Sequence, residues 1–146
     1  MNWEFEAVDK LKGYEAHRRA LENIPMEIKR LEDAFVSIRS ATTDATPVSG
    51  GGSTREDVML SNIAHREELA RTLKQALAWV RFVDAGLSAL GEEEHLVLER
   101  FYIHRTRGSV DRLCEELGIL NPSGVYKRKD KALRHFTIAL YGMTEI

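Results

Sequence analysis

Hydrophobic residues recur mostly at steps of three and four along two long stretches of this 146-residue chain. In the first stretch they are Leu21, Ile24, Ile28, Leu31, Phe35 and Ile38. In the second they are Ile63, Leu69, Leu73, Leu77, Val80 and Leu87. This spacing places them on one face of a helix, and it is typical of helices that pack lengthwise against each other. With only 3 Pro and 10 Gly to interrupt such helices, the sequence predicts an all-α fold.

The first helix is expected over residues 1–40, with a kink or a restart at Pro25. Proline has no N–H to donate, and its ring clashes with the preceding turn of a helix. Asn23 suits the capping position of a second helix, and Pro25 suits its first turn.

A flexible loop is predicted over residues 41–54, which contain Pro47, three consecutive glycines and several small polar residues. A phosphate-binding loop would need a preceding strand and a Gly-Lys-Ser/Thr ending, and neither is present. The helix over residues 55–84 is then expected to fold back on the first as an antiparallel, coiled-coil-like hairpin. Pairing of both helices with a second chain, as a homodimer, remains open.

Three shorter helices are predicted after the hairpin, over about 91–103, 110–117 and 122–140. Their expected inward residues are Leu96, Val97, Phe101, Tyr102, Val110, Leu113, Cys114, Leu117, Val125, Ala132, Leu133, Phe136 and Leu140. A short helix, a turn with glycine and a longer second helix form the outline of a DNA-binding helix-turn-helix. The sequence therefore divides into a hairpin domain, 1–86, and a helix-turn-helix domain, 87–146.

The predicted helix ends depend on residues with strong positional preferences. Gly108 and Gly118 suit the positive φ angles of a turn and of a helix C-terminus. Ser109 is placed to cap the second short helix, while Asn121 caps the third and Pro122 begins it. Ile119 is expected to anchor the turn between them.

Positive charge is concentrated in the last helix, although the whole chain has a net charge of -2. This stretch contains one acidic residue, Asp130, and five basic residues, which are Lys127, Arg128, Lys129, Lys131 and Arg134. Such local clustering is what nucleic-acid binding requires, and a solvated helix face is the alternative interpretation.

The DNA-binding residues can be assigned from the way a recognition helix enters the major groove. Its N-terminal turn contacts base edges; the residues there are Ser123, Tyr126 and Lys127. Positions farther along meet phosphates; these are Arg128, Lys131 and Arg134. Contacts with the flanking DNA backbone are assigned to Arg105, Arg107 and the N–H groups that follow Ser109.

No catalytic, metal or cofactor site is predicted. The 5 histidines lack metal-ligand spacing, and the acidic run Glu92–Glu94 opens a helix, where its charge suits the helix dipole. The only cysteine, Cys114, cannot form an intrachain disulfide, which fits a reducing compartment. No apolar run approaches the roughly 20 residues of a membrane span, and the amino terminus does not resemble a signal peptide. A cytoplasmic location without membrane contact is expected.

Three segments, LGEEEHLVLERFYI, GSVDRLCEELGI and SGVYKRKDKAL, resemble the carboxy-terminal promoter-reading region of bacterial sigma factors. Together with NIPMEIKRLE, DATPVSGGGS and LYG, they make nearly the whole chain similar to sigma-like phage and prophage transcriptional regulators of the RinA/ArpU type. The resemblance implies a nucleoid-associated bacterial or phage regulator that binds double-stranded DNA, and it leaves contact with RNA polymerase open. Lys129 stands where sigma-like helices usually bury a leucine.

Two other functions fit the same pattern. A phage DNA-packaging component, such as a small terminase subunit, also joins a helix-turn-helix to a helical oligomerisation region, and it would form a ring of many subunits. A protein-interaction adaptor would use the hairpin to bind its partner and leave the basic helix solvated. The mass in solution and binding to DNA at low salt separate the three functions.

Overall fold

The computed structural model describes residues 1–41 and 52–143, and every regular element in them is helical. The elements are α1 (Trp3–Ser40), α2 (Gly52–Ser88), α3 (Glu92–Leu98) with a π-helical continuation (Glu99–Ile103), α4 (Ser109–Leu117) and α5 (Pro122–Tyr141). The predicted all-α class is therefore confirmed. None of these helices combines the length and the apolar character needed to cross a membrane.

Both long helices differ from the prediction at one point. α1 runs through Pro25 and does not restart at Asn23, while the alternative expectation of a kink at Pro25 stays a prediction. Ile24 and Leu31 are buried on either side of the proline, so packing of the apolar face holds the helix together where one N–H is missing. α2 begins at Gly52, inside the predicted loop, and the rest of that loop, 42–51, lies outside the described residues.

The chain forms two compact units, one of Met1–His17 with Ala78–Ile146 and the other of Arg18–Leu77. The start of α1 and the end of α2 thus belong to the same unit as the three shorter helices. The division of the chain into functional domains at residue 86 stays a prediction.

The larger unit is held together by a buried cluster to which four helices contribute. Its members are Ala7, Leu11, Val83, Leu87, Leu98, Ala132, Leu133 and Phe136. Phe136 is fully buried. A Cβ at Gly86 would lie 2.6 Å from Cδ2 of Leu140, so α2 and α5 approach closely because residue 86 has no side chain.

A second cluster joins α3, α4 and α5. It consists of Val97, Phe101, Leu113 and Val125, with Leu96, Tyr102, Val110, Cys114, Leu117 and Ile119 partly buried around it. The inward faces predicted for the three short helices are confirmed by these two clusters. Leu98 was not predicted to face inward, and it is fully buried in the larger cluster.

Trp79 of α2 packs against α1 and hydrogen-bonds to it within the larger unit. Its indole N–H donates to the carbonyl of Lys10 at 2.9 Å, and the Lys10 ammonium lies 3.9 Å from the ring centroid. His17 stacks on the indole with a centroid distance of 4.2 Å. A Cβ at Gly13 would lie 2.5 Å from the indole, so the close approach requires glycine at this position.

In the smaller unit, α1 and α2 are connected by one buried amide. Asn62 is 8% exposed, and its Nδ2 donates to the carbonyl of Leu31 at 2.8 Å. Its Oδ1 accepts from Nε of Arg66, whose guanidinium lies 5.1 Å from the centroid of Phe35. Because a buried amide must be hydrogen-bonded, this contact favours one register of the two helices.

Candidate nucleic-acid interface

The four residues between α4 and α5 form a tight turn, as predicted. Gly118 has a φ of 67°, and the N–H of Ile119 donates to the carbonyl of Cys114 at 2.9 Å. Ile119 packs on the second cluster, and its Cγ2 would lie 2.7 Å from a Cβ at Gly124. The turn therefore fixes the direction in which α5 leaves α4.

The start of α5 follows the predicted capping pattern. Asn121 has extended backbone angles, and its Oδ1 accepts from the N–H of Gly124 at 3.3 Å. The hydroxyl of Ser123 donates to the same oxygen. Pro122 occupies the first turn, where its missing N–H has no helical partner to lose.

The start of α4 differs from the prediction, because Ser109 does not cap the helix. The residue before the helix is Gly108, with a φ of 82°, and Ser109 is the first helical residue. The Ser109 hydroxyl donates to the carbonyl of Thr106 at 2.7 Å and accepts from its N–H at 2.9 Å. Its side chain is thus turned back toward Thr106 and buried. The predicted contact of DNA with the N–H groups that follow Ser109 stays a prediction.

The left-handed conformation of Gly118 gives a direct test of the turn. Replacement by alanine should cost roughly 1–2 kcal/mol of unfolding free energy, because a Cβ is strained at positive φ even though nothing lies near it. Gly91 is the matched control, since it also has open space around it but has a φ of -73°. Urea denaturation should show a smaller loss for Gly91→Ala, below about 1 kcal/mol, because Gly91 precedes α3, where alanine is a poorer N-cap than glycine but is not strained. Equal losses in the two variants would contradict the turn.

The buried face of α5 determines which basic residues reach the solvent. Val125, Ala132, Leu133 and Phe136 are buried, which directs the opposite side of the helix outward. The side chains exposed there include Lys127, Lys131 and Arg134. Their spacing of four and three places them in one row along the helix. None of the three forms an ion pair with any residue in 1–41 or 52–143. We call these three residues the basic row.

The other basic side chains of α5 have acidic partners. Arg128 forms an ion pair with Glu93 of α3, and Nδ1 of His135 lies 2.8 Å from the Glu94 carboxylate. Within α5, the ammonium of Lys129 lies 2.7 Å from a carboxylate oxygen of Asp130. The charge available to a ligand is therefore smaller than the sequence count indicates, and it is concentrated in the basic row.

Lys129 lies at the edge of the second cluster rather than in its interior. Its ammonium is 5.9 Å from the centroid of Phe101. Burial alone would lower the pKa of Lys129, but the hydrogen bond with Asp130 and the interaction with the Tyr102 oxygen outweigh it and raise the pKa. Lys129 therefore stays charged while its aliphatic stem covers apolar surface.

The other predicted DNA contacts are accessible, with the exception of Ser109. Tyr126 is 45% exposed, and its ring packs edge-on against Phe101 with a centroid distance of 5.5 Å. Ser123 is exposed next to the helix cap. Arg105 and Arg107 are exposed beside a surface depression of about 360 Å³ that precedes α4.

A groove of about 990 Å³ lies between α3, the turn before it and α5. Apolar residues such as Leu90, Val97 and Ile138 line it together with the charged side chains of Glu93 and Arg128. Over the parts of the chain that the structure describes, no three His, Cys, Asp or Glu side chains are grouped to hold a metal ion.

No protein-family model, curated protein or solved structure matches this chain.

Proposed function

We propose that this protein is a sequence-specific, double-stranded DNA-binding transcription regulator of the phage or prophage type. In this proposal α4, the turn and α5 act as a helix-turn-helix, and α1 with α2 forms an antiparallel hairpin. The observation that carries it is the basic row, Lys127, Lys131 and Arg134, which is unpaired within the described ranges and exposed on a helix anchored from its other side. The negatively charged phosphates of the DNA backbone attract a row of unpaired cations on a rigid helix.

The proposed roles follow from position along α5. Ser123, Tyr126 and Lys127 lie in its first two turns and are assigned to base edges in the major groove. Lys131 and Arg134 lie farther along and are assigned to phosphates, which orient the protein without reading sequence. Arg105 and Arg107 extend this contact to the flanking backbone.

Two single substitutions separate base reading from phosphate binding. Lys127→Ala should weaken binding to a preferred duplex by roughly 1–3 kcal/mol and relax the preference for its sequence. Arg134→Ala should weaken binding to all sequences alike and lower the slope of log affinity against log salt by about 1. Fluorescence anisotropy at several salt concentrations, with a preferred and a scrambled duplex, measures both quantities.

The control for these variants is Lys29→Ala, which removes the same charge from an exposed position of α1. It should leave the affinity and the salt slope close to those of the wild type. Unchanged binding by both α5 variants would contradict the assigned interface.

Two further parts of the proposal concern partners. Homodimerisation through α1 and α2 would place two half-sites about one DNA turn, ~10 bp, or a multiple of it apart. The mass in solution and the spacing of the half-sites test it together. Contact with RNA polymerase is a prediction from the resemblance to sigma factors alone.

A further inference from the structure

An ion pair joins α3 to a basic residue of α5. Arg128 lies on the basic helix but is held by Glu93, a residue of a different helix 35 positions away in sequence. Seven residues, or about two helical turns, farther along α5, His135 contacts the carboxylate of Glu94. Two carboxylates of α3 thus lie against basic side chains of α5.

We propose that Glu93 competes with DNA phosphate for Arg128 and thereby weakens binding to non-specific DNA. The inference rests on the proposed DNA-binding function. A carboxylate and a phosphate bind the same N–H donors of a guanidinium. Their negative charges also repel each other, so full contact of Arg128 with a phosphate requires it to leave Glu93. A phosphate must then displace Glu93, and the gain from counterion release is reduced by the lost ion pair.

The local structure allows this exchange. Arg128 and Glu93 are 46% and 50% exposed, so their contact can open without disturbing the buried clusters. The groove of about 990 Å³ adjoins both residues and leaves the guanidinium space to move. Lys131 lines the same groove and belongs to the basic row, so a released Arg128 would extend that row toward α3. At a preferred site, base contacts of Lys127 offset the affinity lost to this competition. Non-specific DNA makes phosphate contacts alone, so its affinity is reduced more.

Glu93→Gln tests the proposal, with Glu92→Gln as the matched control. Both residues are exposed in the first turn of α3 and both substitutions remove one negative charge, but only Glu93 has a basic partner on α5. Glu93→Gln should raise the affinity for a scrambled duplex roughly tenfold at low salt and steepen its salt slope by about 0.9 relative to Glu92→Gln. Affinity for a preferred duplex should rise less, so the ratio between the two affinities should fall.

An Arg128→Ala background distinguishes competition from a general change of charge. There, Glu93→Gln and Glu92→Gln should have the same effect, because no guanidinium remains to be released. Equal effects in the wild-type background, with the wild-type protein binding DNA, would overturn the competition while leaving the proposed function intact. Absence of binding by the wild type and by Glu93→Gln would overturn both, and binding by Glu93→Gln alone would support the competition.

Discussion

Replacing the basic row with alanine, as Lys127→Ala, Lys131→Ala and Arg134→Ala together, is expected to lower affinity for DNA on the order of a thousandfold at low salt. The slope of log affinity against log salt should fall by about 1.8, because Lys131 and Arg134 are the two residues assigned to phosphates and each lost phosphate contact removes about 0.9. All three residues are exposed and alanine favours helix, so the fold should remain intact. Anisotropy titrations with a random-sequence duplex measure both quantities.

The control for this variant removes three exposed lysines elsewhere, Lys12, Lys29 and Lys74. It changes the net charge by the same amount, so it reports the effect of total charge alone. We expect it to reduce affinity by no more than a few fold, since separated surface charges are screened at distances beyond the Debye length, about 10 Å at moderate salt. Equal losses in the two triple variants would mean that binding follows total charge, not the face of α5.

Phe136→Ala is expected to cost about 3–5 kcal/mol of unfolding free energy. The ring is fully buried in the cluster that joins α1, α2, α3 and α5, so its removal leaves a cavity that these helices cannot easily close. A loss of that size is a large part of the 5–15 kcal/mol that stabilises a typical domain. Urea denaturation followed by circular dichroism measures it.

Phe5→Ala is the matched control, because the same side chain is removed from a position that is 67% exposed. Its effect should stay within about 0.5 kcal/mol. A loss below about 1 kcal/mol in Phe136→Ala would contradict the packing of α5 against the other helices.

The sequence was most informative where local chemistry decides the structure. Asn121, Pro122 and Gly118 each act within a few residues of their own position, and the structure places all three as predicted. The hydrophobic spacing predicted the inward faces of α4 and α5, because burial follows helical periodicity when a helix packs on one side. The exposed basic row could be predicted for the same reason.

Features that depend on tertiary contacts could not be predicted in this way. α1 continues through Pro25 because burial of its neighbours outweighs a local preference that the sequence shows clearly. Ser109 follows a glycine with positive φ, and its hydroxyl turns back to Thr106 instead of capping α4. The ion pair of Glu93 with Arg128 joins residues that are distant in sequence. In the sequence, Glu93 belongs to an acidic run at the start of a helix, and the helix dipole explains that run without any partner on α5.

The most direct test of the central claim is selection of bound duplexes from a random-sequence pool with the purified protein, repeated over a range of salt concentrations. We predict an enriched motif whose binding weakens steeply with salt, as expected for base contacts from the start of α5 supported by phosphate contacts of the basic row. Failure to retain any duplex at low salt, or retention of a pool with no sequence enrichment, would contradict a sequence-reading regulator.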